Sequence, residues 1–195
     1  MIKDYGLYYK YRNGDNLLIL FSDVKILKKV SFEETSLLYS NDDTLIGLSI
    51  SVFSKYIKIK GDEEVIYLPN SYFIDVINIF LKKHHLEELS YRNTSGFQVC
   101  SVISCEEKDE EYLLTLRGEK TYYVIYKGEI KEHKKVIFIK NGTFLKDKTM
   151  VRCCNGDGII CTYNTLYNDH NENIIYLENS IKEGTDLFSL EERIC

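Results

Sequence analysis

The chain has 195 residues, 44% of them hydrophobic and 28% charged, with a net charge of −5. That length suits one large domain or two small ones, and the apolar content excludes a globally disordered chain. No apolar run approaches the roughly 20 residues of a membrane-spanning helix, and the charged, tyrosine-rich start MIKDYGLYYKYRNGD has no apolar signal region, so the expectation is a cytoplasmic protein with reduced thiols and no membrane partner.

In chain order, YYKYRNGDNLLILFSDV reads as a β-hairpin turning at Asn13-Gly14-Asp15. A second β region is expected over Leu45–Ile50 and again over VFSKYIKIK (52–60), where apolar and polar residues alternate imperfectly; Gly61-Asp62 then turns the chain into VIYL (65–68). PNSYFIDVINIFLKKHHLEEL carries the strongest helix signal. Asn70 or Ser71 can cap it, Lys82 and Lys83 suit its C-terminal end, and Phe73, Ile74, Ile77, Phe80 and Leu81 make one apolar face. The adjacent His84 and His85 point about 100° apart on a helix, which favours surface or packing roles over a metal pair.

SYRNTSG (90–96) is polar and turn-rich, so residues 1–92 are read as an α+β N-terminal domain and residues 93–195 as a second domain. The second half holds short β segments: FQVCSVISCEE, YLLTLRGEKTYYVIYKGE, KKVIFIKNGTFLKDKTMVR, GIICT and IIYL, with turn signals at Arg117-Gly118-Glu119-Lys120 and Lys140-Asn141-Gly142-Thr143. About five short strands without a periodic helix predict an all-β barrel of the oligonucleotide/oligosaccharide-binding (OB-fold) kind. In KKVIFIK, either Val136, Phe138 and Lys140 or Lys135, Ile137 and Ile139 face the core; the alternation alone does not choose.

The charge is strongly patterned. Residues 117–152 hold ten basic and four acidic side chains, whereas residues 96–116 hold one and five, and residues 153–195 hold two and eight. A polyanion responds to the local field within a Debye length of about 8 Å rather than to the sum. The basic stretch is interleaved with Tyr122, Tyr123, Tyr126, Phe138 and Phe144, the combination with which single-stranded or looped RNA is bound: bases stack on rings while cations meet phosphates. Strand alternation must nonetheless bury about half of those rings.

CCNGDGIICT (153–162) admits three readings. Zinc normally takes four ligands, commonly in spaced pairs, and no CxxC exists in the chain. A thiolate nucleophile would need a base and an oxyanion pocket, for which there is no local signature. The remaining reading is a tight turn through Asn155-Gly156-Asp157-Gly158 feeding a buried strand, with Cys161 packed as a small hydrophobe. No motif points to a metal, a cofactor or catalysis.

GIICT after a basic strand and a glycine turn resembles the "G-M-x-C-S" stretch of tRNA-binding OB domains, such as that of the bacterial phenylalanyl-tRNA synthetase β chain. KKVIFIKNGTFL matches that family's "G-x-x-V-x-V-A-x-x-G" region, and IIYLENSIKEGTDLF its ending. GDNLLILFSDV, GLSISVFSKYIKI and LPNSYFIDVINIFLKKHHLEE are similar to the leading domain of YtpR-like stand-alone tRNA-binding proteins, which have this length and domain order. Where that family has a His-Pro loop and "D-x-L", this chain has the acidic run EEKDEE (106–111); VIYKGEI (124–130) replaces "C-G-A-x-N", and Thr162 replaces a serine. The resemblance implies a non-catalytic protein binding tRNA or other structured RNA. Its expected contacts are Lys120, Tyr126, Lys127, Lys131, Lys134, Lys135, Lys140, Lys146, Lys148, Arg152, Asn155 and Thr162. The alternative is a protein-interaction module, binding a protein partner or itself through a barrel that no longer takes RNA.

Overall fold

The computed structural model describes residues 1–10, 14–59, 65–108 and 111–191. Asn13 of the expected first turn, Lys60 and the Gly61-Asp62 turn, and Asp109 and Glu110 of the acidic run lie outside the described residues. The chain divides into two compact units, Met1–Asn93 and Thr94–Cys195. It is mostly β with few helices, and among the described residues no helix is long and apolar enough to cross a membrane.

In the first unit, strands β1 (Gly6–Lys10), β2 (Asn16–Leu20), β3 (Lys28–Phe32), β4 (Thr35–Tyr39) and β5 (Leu45–Ser51) form an antiparallel sheet of order β1-β2-β5-β4-β3. Helix α1 (Ser71–Lys83) starts where Asn70 Oδ1 accepts from the Phe73 amide at 2.8 Å. Its Phe73, Ile74, Ile77, Phe80 and Leu81 are buried in one cluster with Leu7, Leu17, Ile19, Leu48 and Ile50 of the sheet. His84 packs its ring 5.2 Å from Phe32 and hydrogen-bonds Thr35 Oγ1.

The expected strand over 52–60 is corrected. After β5, Val52 takes a left-handed conformation (φ 55°) and Phe53–Lys55 form a 3₁₀ turn; no strand follows among the described residues up to 59. Asp15 is the cause: its carboxylate accepts from the Ser54 amide (3.0 Å) and hydroxyl (2.6 Å), while Phe53 is fully buried 5.4 Å from Phe73. The β3–β4 hairpin lacks the usual Gly or Asn signal. It turns through Glu33, at φ 45°.

In the second unit, β6 (Phe97–Lys108), β7 (Glu111–Arg117), β8 (Thr121–Tyr126), β9 (Lys135–Lys140) and β10 (Gly158–Ile160) are ordered β10-β9-β6-β7-β8, and β11 (Tyr176–Leu177) also pairs with β9. Short helices α2 (Tyr163–Tyr167) and α3 (Leu187–Glu191), unexpected from periodicity, follow β10 and end the described chain. The two ends of the sheet approach each other at Asp157, whose amide donates to the Tyr123 carbonyl (2.8 Å) while its carboxylate accepts from the Tyr123 amide (2.8 Å). The sheet is thereby a nearly closed, barrel-like structure around Cys100, Val102, Leu114, Leu116, Tyr122, Val124, Val136, Phe138 and Ile160. This resolves the faces of KKVIFIK: Val136 and Phe138 point into that core, yet Ile137 and Ile139 on the opposite face are buried too.

The first half of β6 pairs with β9 and the second with β7, leaving one edge uncovered near Val99. The C-terminal segment fills it, with the Val99 amide donating to Thr185 O and the Gly184 amide to Val99 O, both at 2.9 Å. Glu183 fastens this segment, accepting from Arg117 Nε (2.7 Å) and Nη2 (3.1 Å) and from Ser101 Oγ (2.5 Å).

Two outcomes follow from this architecture. At position 158 a methyl group would overlap the Ile139 carbonyl oxygen and approach Phe138, so Gly158→Ala is expected to destabilise the second unit by about 3 kcal/mol, on the order of 10–20 °C in Tm by calorimetry. Unchanged stability would contradict the close β9–β10 approach. The Glu183 carboxyl is held down to about 2 by the Arg117 and Ser101 donors, from an ordinary 4.5. A depressed folded pKa stabilises fully above the unfolded value, and that contribution fades as pH falls from about 4.5 towards about 2. Glu183→Gln is expected to cost about 1 kcal/mol at neutral pH, since the Arg117 side chain is largely solvated, and nothing near pH 2. A pH-independent deficit would show that the charge is not what holds the segment.

Candidate nucleic-acid interface

Strand direction sorts the expected contacts. β8 and β9 run with their connection, 127–134, at one end of the barrel; the β7–β8 turn, 118–120, and the β9–β10 loop, 141–157, lie at the other. Between them stand the six residues of β9, a span of about 17 Å. The basic stretch, continuous in sequence, is split in space.

The end with the long loop gathers Lys120, Lys140, Lys146, Lys148, Arg152 and Asn155, all exposed. Lys120 Nζ stands 5.3 Å from the ring centre of Tyr122, which is buried and stacked on Phe138 at 4.4 Å. The loop is built, not slack. Asn141 Nδ2 donates to the carbonyls of Cys153 (3.2 Å) and Gly156 (2.9 Å), and its Oδ1 accepts from the Cys153 amide (2.8 Å). Gly142 and Val151 exchange main-chain bonds with Val151 and Thr143, and Phe144 and Val151 are buried beneath. Lys146 and Lys148 therefore sit at the tip of a small hairpin. Asp147 between them spends its carboxylate on the Thr149 amide (2.9 Å) and hydroxyl (2.7 Å).

Of the five interleaved aromatics, Tyr122, Phe138 and Phe144 are buried and Tyr126 is half-buried; Tyr123, 53% exposed beside Asp157, presents its ring to solvent. Alternation along TYYVIY contains that signal, since Tyr122 and Val124 point inward. Asn141, the loop's organiser, gave only a turn signal in the sequence.

The other end places its residues differently. Lys131 and Lys134 are exposed, but Lys127 pairs with Glu111 (3.1 Å) and Lys135 donates to the carbonyls of Asn179 (2.6 Å) and Ile181. Thr162 is only 7% exposed; its hydroxyl accepts from the Thr165 amide (3.2 Å) as the cap of α2, and it also contacts Glu172 at 3.4 Å. Its geometry serves the helix rather than an external phosphate. Tyr126 packs against the barrel core, and burial, Tyr176 and Glu172 together push its phenol up. Glu111, Glu129, Glu132 and Glu172 share this end, so its field is mixed.

The cysteine stretch resolves along the same lines. Cys154 is exposed, Cys153 half-buried and Cys161 buried, with burial pushing the Cys161 thiol up to about 12. A thiol so protonated is a poor nucleophile. Among the described residues no group of three or more His, Cys, Asp or Glu is arranged to hold a metal ion. Compared with protein-family models and with the curated proteins, the chain matches none.

Proposed function

We propose that this is a non-catalytic RNA-binding protein of the YtpR-like kind, an α+β unit followed by an OB barrel, which takes tRNA at the loop end of that barrel. The strand order β8-β7-β6-β9-β10, with Asp157 drawing β10 against β8, supports the OB reading because it is the 3-2-1-4-5 order of that fold. One helix laid on one antiparallel sheet supports the α+β reading of the first unit. The observation that carries the function is the grouping at one end of Lys120 and Lys140 with Lys146, Lys148 and Arg152, the last three on a loop pinned by Asn141, with Tyr123 exposed nearby. Cations on an ordered frame meet phosphates at low entropic cost, and an exposed ring offers a stacking face. The choice of tRNA over other structured RNA rests on the resemblance.

Binding of tRNA by the full chain is expected to fall steeply with salt, with a log–log slope of roughly −3 to −4 for four or five phosphate contacts. Lys146→Glu with Lys148→Glu is expected to weaken it about tenfold or more, whereas Lys134→Glu at the opposite end changes it less than about threefold, read by filter binding. The reverse ranking would move the interface to the other end. A folded protein that binds no tRNA at about 50 mM salt would favour the protein-interaction module instead.

A further inference from the structure

At the end of the barrel away from the long loop lies an open cleft of about 780 Å³. Its walls include Tyr112, Tyr126 and Tyr176, with Glu129, Glu172 and Lys131 at the rim. Ile130 and Ile174 add apolar floor. Glu172 is held by neutral donors, Asn164 Nδ2 at 2.6 Å and Thr162 Oγ1 at 3.4 Å, so its position is fixed while its charge is uncancelled. Among the described residues no lysine or arginine pairs with Glu129 or Glu172, while Lys131 uses its main-chain amide on the Tyr176 hydroxyl at 3.3 Å.

These walls select by charge. An anion entering would face two carboxylates, Glu129 and Glu172, against one ammonium, Lys131, so the lining carries a net negative charge. A cation finds two carboxylates to pair with and three tyrosine rings among the lining residues. One ammonium group would leave most of the volume empty. The lining combines acidic with aromatic and aliphatic side chains, which suits a flexible chain carrying both ammonium groups and methylene segments. We propose that the cleft is a binding site for a linear oligoamine, its ammonium groups held by Glu129 and Glu172 and its methylenes laid on Tyr112, Tyr126 and Tyr176. The site is separate from the loop end and does not depend on RNA binding.

Spermidine is the probe, titrated calorimetrically into the RNA-free full chain at about physiological ionic strength. Glu129→Gln and Tyr176→Leu are each expected to weaken binding about tenfold. Glu119→Gln, which removes the same charge at the exposed β7–β8 turn on the other end of the barrel, is expected to change it less than about twofold, because a site-bound cation does not sense a carboxylate there through screening salt. Should Tyr176→Leu fail to fold, the rim substitution Glu129→Gln still decides the matter. Three results would overturn the proposal: no spermidine binding, equal losses in Glu129→Gln and Glu119→Gln, or displacement of spermidine by uncharged guanosine, which would make the tyrosines a nucleobase platform.

Discussion

The close approach of β10 to both β9 and β8 is the constraint on which the second unit depends. It requires a residue without a side chain at 158, because a Cβ there would enter the space of the Ile139 carbonyl. It also requires the reciprocal bonds of Asp157 with the Tyr123 main chain. Together they bring the last barrel strand home, and in doing so they fix where the 141–157 loop must return. Asn141, bonding across that loop to Cys153 and Gly156, carries the constraint outward to the segment that holds Lys146, Lys148 and Arg152. The stretch read in the sequence as a tight turn feeding a buried strand is also where Asn141 ties down the loop that carries Lys146, Lys148 and Arg152.

The same closure separates charges that the sequence runs together. Lysines at the two ends of β9 lie about 17 Å apart, roughly two Debye lengths at physiological salt, so they act as two fields rather than one. At the loop end Asp147 accepts from the Thr149 amide and hydroxyl, and Glu119 is exposed on the β7–β8 turn. At the cleft end Lys127 pairs with Glu111 and Lys135 donates to carbonyls, Lys131 and Lys134 are exposed, and the cleft is lined by Glu129, Glu172 and Lys131. The loop end is thus predominantly cationic, whereas the cleft end is mixed.

Much of this was legible where local chemistry decides. The β1–β2 and β7–β8 hairpins carried glycine turns, and α1 carried its Asn70 cap and a 3.6-residue apolar period, so their places follow from short windows of sequence. Residues 52–60 misled because their β-like composition is overruled by a tertiary partner, Asp15, some forty residues earlier. The β3–β4 hairpin was invisible because Glu33 takes a positive φ without glycine, and α2 is a single capped turn too short for periodicity. The basic segment was readable as a binding candidate, but which lysines point together is a matter of topology. Thr162 looked like a hydroxyl for phosphate because its neighbour three residues on, Thr165, gave no hint that the two close a capping box.

Whether the loop end of the barrel is where RNA would bind, as proposed above, can be read amide by amide. Hydrogen–deuterium exchange of the full chain with and without tRNA addresses it directly, since amides in 118–120 and 141–157 belong to one end and those in 127–134 to the other. The account predicts added protection over 141–157, extending to Lys120, with 127–134 unchanged. Protection confined to 127–134 and the cleft around Tyr126 and Tyr176, with the long loop exchanging as before, would contradict it.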